Sequence, residues 1–314
     1  MRNTVRSNAL LVVVAFATVY LVWGSTYWAI KLSLESFPPF MLGAVRYLIA
    51  GGLMLLVARL TGAGRPTRDH WRAALITGTL LLVVGNGAVI FAEQRAPTGL
   101  VALIVASAPL WIVLLDWLRP GGIRPTGMVF AGLMAGTVGV ALLVDPTGGA
   151  GSGVPLRETI LLVIGAMAWS AGSLWSKHAH IPGSAILLVA LQMVVGGVLF
   201  SLASVVAGEP GSVRLESLSA NSLLGIGYLI LFGSIVAFTA YVWLVRTVSP
   251  AAVSTYAYVN PVVAVAIGTF IGGEELTPRT MLAAAVLLGA VVLITAGPVL
   301  RRARQAEVAV ALDT

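Results

Sequence analysis

Ten apolar runs, each close to the length of a membrane span, divide the 314-residue chain: residues 9–30, 39–58, 73–92, 98–118, 126–144, 159–176, 183–206, 221–245, 249–271 and 280–299. A helix needs roughly 20 apolar residues to cross the ~30 Å hydrocarbon core of a bilayer. Open strands leave backbone groups unsatisfied in lipid, and a membrane barrel needs short alternating segments, which the runs do not show. The expected fold is therefore an all-α integral membrane protein with ten transmembrane helices. Composition agrees, with 58% hydrophobic and 10% charged residues, against about 45–50% and about 25% in soluble domains. The first run is longer than the ~7–15-residue apolar core of a secretion signal, so it is read as part of the mature fold.

The net charge of +7 does not point to nucleic acid. The basic residues sit at the ends of apolar runs, where the positive-inside rule places them. With the N-terminus inside, thirteen fall on the cytoplasmic side, five (Lys31, Arg95, Arg157, Arg214 and Arg279) fall outside, and Arg46 lies within a span. This predicts a multi-pass protein of a bacterial-type inner membrane with both termini cytoplasmic, and membrane lipid as its surroundings.

The chain also repeats itself. Trp23 and Lys31 are eight residues apart, as are Trp169 and Lys177, at an offset of 146. The same offset carries Arg46 to Gln192 and Gly51 to Gly197, and an offset of 152 carries Pro109 to Pro261. Each half then holds five spans. Five is odd, so the second half enters the membrane from the opposite side, which predicts two inverted five-helix repeats, an architecture of secondary transporters. The expected organisation is a first repeat over 1–144, a Gly/Pro-rich linker over 145–157, a second repeat over 158–300 and a cytoplasmic tail over 301–314.

Polar and helix-breaking residues inside the spans mark the candidate substrate path. Pro109 and Pro261 lie midway along spans four and nine, and each removes a helical hydrogen bond, freeing the carbonyls of Val105 and Ala257. Matched interruptions in two halves point to a transport site, with Ser107 and Asn260 close by. Arg46 has two readings: a cation facing a cavity and meeting a substrate carboxylate, or a side chain snorkelling to the interface. Its counterpart Gln192 is neutral. Asn86 either bonds a neighbouring helix or lines a wet path. Trp23 and Tyr27 share a face of span one with Lys31, Trp169 and Ser173 repeat that face in span six, and Tyr256 shares a face with Asn260. Glycines spaced by four, Gly132 with Gly136 and Gly268 with Gly272, permit close helix packing.

Carboxylates are absent from the middle of every span. Glu93 stands near the end of span three, and Glu35, Asp116, Asp145, Glu158, Glu274 and Glu275 fall in loops or at span ends. No proton relay is evident, so facilitated movement stands beside proton exchange as a mechanism. There is no cysteine, the histidines His70, His178 and His180 sit in or beside loops, and no HExxH, GxSxG or phosphate-loop motif occurs. The reading is a non-enzyme without metal or cofactor, acting on a small molecule.

These segments together resemble the drug/metabolite transporter superfamily, in particular ten-span EamA-type exporters of amino acids and metabolites. The likeness is carried by "WGSTYWAIK" (23–31), "RYLIAGG" (46–52), "APTGLVALIVASAPLW" (96–111), "VSPAAVSTYAYVNPVVAVAIG" (248–268) and "GEELTP" (273–278). It implies two five-helix repeats around a central cavity, with spans three, four, eight and nine near the centre, and export of small metabolites across an inner membrane. The family's Glu-Leu-Thr falls on Glu275–Thr277; the first repeat has Gly122 in place of that glutamate. A proton-coupled carrier of drugs or organic cations, and a membrane receptor or assembly subunit that transports nothing, are the alternatives.

Overall fold

A computed structural model describes residues 2–122, 124–145, 153–179, 183–212, 216, 218–248, 250–253 and 255–294. Most of the linker read from the sequence, and the tail after Arg301, lie outside these residues. Among the described residues the chain forms ten helical spans. They are α1 (Arg2–Ser33), α2 (Pro39–Leu60), α3 (Arg68–Ala92), α4 (Thr98–Leu118), α5 (Gly127–Leu143), α6 (Leu156–His178), α7 (Ala185–Val206), α8 (Ala220–Tyr228, Leu229–Val236 and Ala237–Thr247), α9 (Pro250–Val253 and Tyr256–Phe270) and α10 (Pro278–Ile294). Seven are long and apolar enough to cross a membrane, and α5, the longer part of α9 and α10 are shorter apolar helices.

α3 and α8 begin before their apolar runs do, behind capping side chains. α3 starts at Arg68, behind Thr67, whose hydroxyl accepts from the His70 amide while the Thr67 amide donates to the His70 ring. Thr126, Ser184 and Ser219 cap α5, α7 and α8 with the same amide-to-hydroxyl bond. Such caps contribute about 1 kcal/mol each. Two two-residue strands, Val144–Asp145 and Val154–Pro155, pair in parallel. They close the linker at its base, and α6 begins at once after them.

The halves interlock rather than sit side by side. α1 packs on α8 and α9 of the second half, and α6 packs on α3 and α4 of the first. α2 lies along α7 over its length. Glycines set this contact: a Cβ on Gly51 would stand 2.8 Å from the Val194 amide nitrogen, and one on Gly197 would stand 2.7 Å from that of Leu48. α5 meets α10 the same way, with Gly132 against Ile294 and Gly139 against Leu287. Gly136 instead receives Leu110 of α4, Gly268 receives the Glu274 carboxylate and Gly272 receives the Trp28 ring. Large apolar side chains such as Leu53, Leu56, Phe130, Leu202 and Leu224 are exposed, which suits a lipid-facing surface.

Candidate transport site

α3 and α8 hold corresponding places in the two repeats, and both widen in the middle. Residues Gly78–Asn86 and Leu229–Val236 wind as π-helix. The Gly87 amide donates to the Leu82 carbonyl, and the Ala237 amide to the Phe232 carbonyl, both five residues back. A π turn inserts an extra residue and occurs often at functional sites. Glycines let neighbours approach these segments: a Cβ on Gly78 would lie 2.8 Å from the Gln192 carbonyl oxygen.

Two matched groups of side chains converge on the widened segments. Trp23 of α1 donates its indole N–H to the Gly233 carbonyl at 3.2 Å, and Arg46 of α2 donates Nε–H to the Ser234 hydroxyl at 3.2 Å. In the other repeat the Trp169 ring of α6 lies 3.2 Å from where a Cβ on Gly85 would stand. Gln192 of α7 donates to the Thr77 hydroxyl at 2.7 Å, one residue before the widened segment of α3. Thus tryptophan meets glycine twice, and the residue pair at offset 146, Arg46 and Gln192, meets a hydroxyl twice.

The first group differs from the second by a charge. Arg46 is 5% exposed, so it does not snorkel to the interface. It stacks over the Tyr47 ring at 4.9 Å, and among the described residues no carboxylate lies within 4.0 Å of it. Its Nη1 is buried without a hydrogen-bond partner. A buried donor left unsatisfied costs about 1–3 kcal/mol, more when charged. The arrangement holds an unspent cationic donor inside the bundle.

The remaining candidates are spread around these groups. Trp23 also meets the rings of Phe238, Tyr241 and Tyr256, with centroids 5.2–5.4 Å away. Tyr27 and Ser173 are half-buried on α1 and α6. Asn86 donates to the Leu81 carbonyl of its own helix at 3.5 Å. Ser107 is fully buried and accepts from the Trp111 indole at 3.1 Å. With its amide nitrogen turned toward them, Asn260 donates to the Tyr20 carbonyl at 3.3 Å and the Tyr256 carbonyl at 3.2 Å, joining α9 to α1.

The two prolines behave differently. α4 breaks at Ala106–Ser107 and restarts at Ala108, with Pro109 in the first turn of the new segment. Pro261 instead lies inside the continuous segment Tyr256–Phe270. A proline is tolerated in a first turn, where its missing N–H has no helical partner. Inside a helix it leaves one carbonyl free without ending the helix when neighbours support the turn.

At one end of the bundle a polar latch crosses between halves. Lys31 Nζ donates to Glu274 at 2.9 Å, and the same carboxylate accepts the Thr98 amide at 2.6 Å and the Gly99 amide at 3.0 Å, at the N-terminus of α4. Burial alone would raise the Glu274 pKa, but the bonds from Gly99, Lys31 and Thr98 outweigh it and hold the carboxyl below its ordinary value. Glu275, the residue that the family pattern singles out, is exposed; the contacts belong to its neighbour. Lys177, the counterpart of Lys31 at the opposite end, is exposed and has no carboxylate within 4.0 Å among the described residues. Where Glu275 would be repeated, the chain has Gly122, folded against the Asp116 carbonyl.

Comparison with known proteins decides what this frame is. The model of the EamA-like transporter family matches residues 10–145 and again 156–296. The chain belongs to the EamA-like transporter family. It is thus a member of the drug/metabolite transporter superfamily and a membrane transporter. The EamA relatives include the "Uncharacterized inner membrane transporter YedA" of Escherichia coli K12, 41% identical over 285 residues and covering 90% of each chain. A "Probable amino-acid metabolite efflux pump" of the same organism is 24% identical over 286 residues, covering 86% of this chain and 90% of its own. A crystal structure at 22% identity superposes with a TM-score of 0.63 over 92% of this chain and 98% of its own, and shares the fold.

Ser234, Thr77 and Glu274 are the contact residues that sequence reasoning passed over. Ser234 and Thr77 are single hydroxyls in apolar runs, and nothing in composition separates them from the many others. Glu274 carried a signal only as the neighbour of Glu275, where the two repeats differ by Gly122.

Proposed function

We propose that this EamA transporter exports amino acids or related small metabolites by alternating access, with the substrate carboxylate received at Arg46. The observation that carries the reading is the buried Arg46 with Nη1 free of any partner, beside Ser234 and the widened segment of α8. A guanidinium fork matches a carboxylate in geometry and charge. The printed name of the E. coli amino-acid metabolite efflux relative supports the substrate class.

In this reading the substrate path runs over Trp23, Tyr27, Arg46, Asn86, Ser107, Trp169, Ser173, Gln192, Tyr256 and Asn260, and Pro109 and Pro261 let α4 and α9 bend. The functional repeats are residues 1–144 and 158–300, joined by 145–157 and followed by a tail over 301–314. Both termini face the cytoplasm, so the Lys31–Glu274 latch closes the outer end and the Lys177 end opens inward. Purified protein in liposomes tests this: it should move radiolabelled amino acids, and the Arg46→Gln protein should not. Absence of flux for every amino acid offered would overturn the substrate class, and unchanged flux in the variant would overturn the role of Arg46.

A further inference from the structure

Glu93 is the least explained charge in the molecule. It follows the last residue of α3, is 3% exposed, and has neither carboxylate oxygen placed in a hydrogen bond. Sequence position put this acid near the end of a span; the structure buries it within electrostatic reach of Lys31 and Glu274. The titratable and charged groups that act on it are Tyr27 and Lys31 of α1, and Glu274 of the α9–α10 loop. Lys31 is the one cation among them, and its ammonium is engaged by Glu274 at 2.9 Å. Glu274 in turn is satisfied by two backbone amides as well. The two carboxylates therefore stand in unequal positions: Glu274 takes the Lys31 ammonium and two backbone amides, whereas Glu93 has the Lys31 backbone amide beside it and no side-chain donor.

An ionised carboxylate in such a place is expensive, and neutralisation by a proton is the usual outcome. Opening the latch changes its surroundings in two ways: water enters, and Lys31 is released. Both favour the charged form.

We propose that Glu93 is a proton-binding site that governs the latch: it holds a proton while Glu274 holds Lys31, and gives that proton to water when the latch opens and Lys31 is freed. The balance is simple. One O–H bond of the Glu93 carboxyl breaks, the proton passes to solvent, and the carboxylate left behind is offset by the ammonium. The closed latch is then the protonated state, favoured by acid, and the open latch is favoured by base.

The direction agrees with the local electrostatics. Burial pushes the Glu93 carboxyl well above its usual range, the charge and backbone amide of Lys31 draw it partly back, and Glu274 adds to the rise. A group with a raised value in the closed state stabilises that state below its open-state value, and the advantage is lost as pH rises through the closed-state value. Between the two values the opening equilibrium shifts by up to about tenfold per pH unit.

The inference rests on reading the latch as a gate, and its test needs no substrate, so a failed flux assay and a failed proton site are separate results. The chain has no cysteine, which makes a single reporter thiol clean. Thr98 lies fully buried under Glu274, and its hydroxyl has no partner to lose. In detergent-solubilised Thr98→Cys protein, the rate of maleimide labelling is measured from about pH 5.5 to 9. Each rate is divided by the rate for the same protein unfolded in dodecyl sulfate, which removes the thiol's own ionisation. The corrected rate should climb with pH. Adding Glu93→Gln, a permanently neutral amide, should leave it slow and flat, and Glu93→Asp should restore the climb. A flat rate with Glu93 in place, or a climb that persists in Glu93→Gln, would overturn the proposal. Infrared spectroscopy of the unsubstituted protein gives a second reading should the variant fail to fold. The carbonyl band of a protonated carboxylic acid should be present near neutral pH and vanish in base; its absence near neutral pH would overturn the proposal as well.

Discussion

Gly51 and Gly197 are images of one another. Each presses its bare Cα against the backbone of the facing helix, Gly51 at Val194 and Gly197 at Leu48, and the two contacts are related by the same 146-residue offset that links Arg46 to Gln192. The pseudo-two-fold axis of the protein passes between them.

Gly51→Ala should therefore lower the thermal midpoint of the detergent-solubilised protein, because a Cβ there meets backbone that cannot step aside. Overpacking of this kind costs about 1–3 kcal/mol. Gly52→Ala is the matched control. Nothing lies within 4 Å of a Cβ at Gly52, so the midpoint should hold or rise, since alanine is the better helix former by roughly 0.5–1 kcal/mol. Equal effects at the two glycines would count against close α2–α7 packing.

Arg46→Met should separate stability from transport. Replacing a buried, partly satisfied charge by an apolar side chain is often neutral or stabilising, so the midpoint should stay level or increase. Binding of a carboxylate substrate should weaken by roughly tenfold to a hundredfold, the loss of a charged hydrogen bond of about 1.5–3 kcal/mol. Arg46→Lys keeps the charge but not the fork and should fall between. Calorimetric titration with amino acids reads all three.

Glu274→Gln should destabilise at neutral pH and do little in acid. The native carboxyl titrates below its ordinary value, so its stabilising contribution is present above the unfolded value and is lost as pH falls through the native one. The greater part belongs to the Thr98 and Gly99 amides, because the Lys31 side chain is 37% exposed and its pairing is weakened by solvent. Thermal midpoints of the two proteins, measured across pH, should converge on the acid side; parallel curves would refute the assignment.

Asn260→Ala should cost about 1 kcal/mol of stability for each bond to Tyr20 and Tyr256, read as a lower thermal midpoint. If Asn260 also lines the substrate path, amino-acid-induced stabilisation should shrink with it. A lower midpoint with undiminished ligand response would assign Asn260 to packing alone.

The large features of this fold were legible in the chain because lipid leaves few options. Apolar length gave the ten spans, and the offsets of Trp23, Arg46 and Gly51 gave the repeat. The site was less legible, for reasons that differ residue by residue. Arg46 offered two destinations that hydropathy cannot separate; its burial beside the Ser234 hydroxyl speaks against the interface. Pro109 and Pro261 occupy equivalent places, yet only the first coincides with a break, because a proline's effect depends on whether its helix continues past it. The π segments leave no mark in the apolar pattern. Glu93 sits among polar neighbours in sequence, and only the fold brings the latch down over it.

The interlocking of the halves has a consequence for how the molecule is made. Leu32, near the end of α1, and its partner Ser222 at the start of α8 are 190 residues apart. At a synthesis rate of about 5–20 residues per second, α1 waits some 10–40 s in the bilayer before α8 exists. It is equipped for the delay. Thr18, Ser25 and Thr26 each donate to a carbonyl of α1 itself, three or four residues back, so these hydroxyls need nothing from a helix not yet made. Lys31 at its end can lie at the headgroups until Glu274 arrives. These three side chains of the oldest part of the nascent chain are thus satisfied early, while its Trp23 indole and Lys31 ammonium wait for Gly233 and Glu274 to complete the assembly.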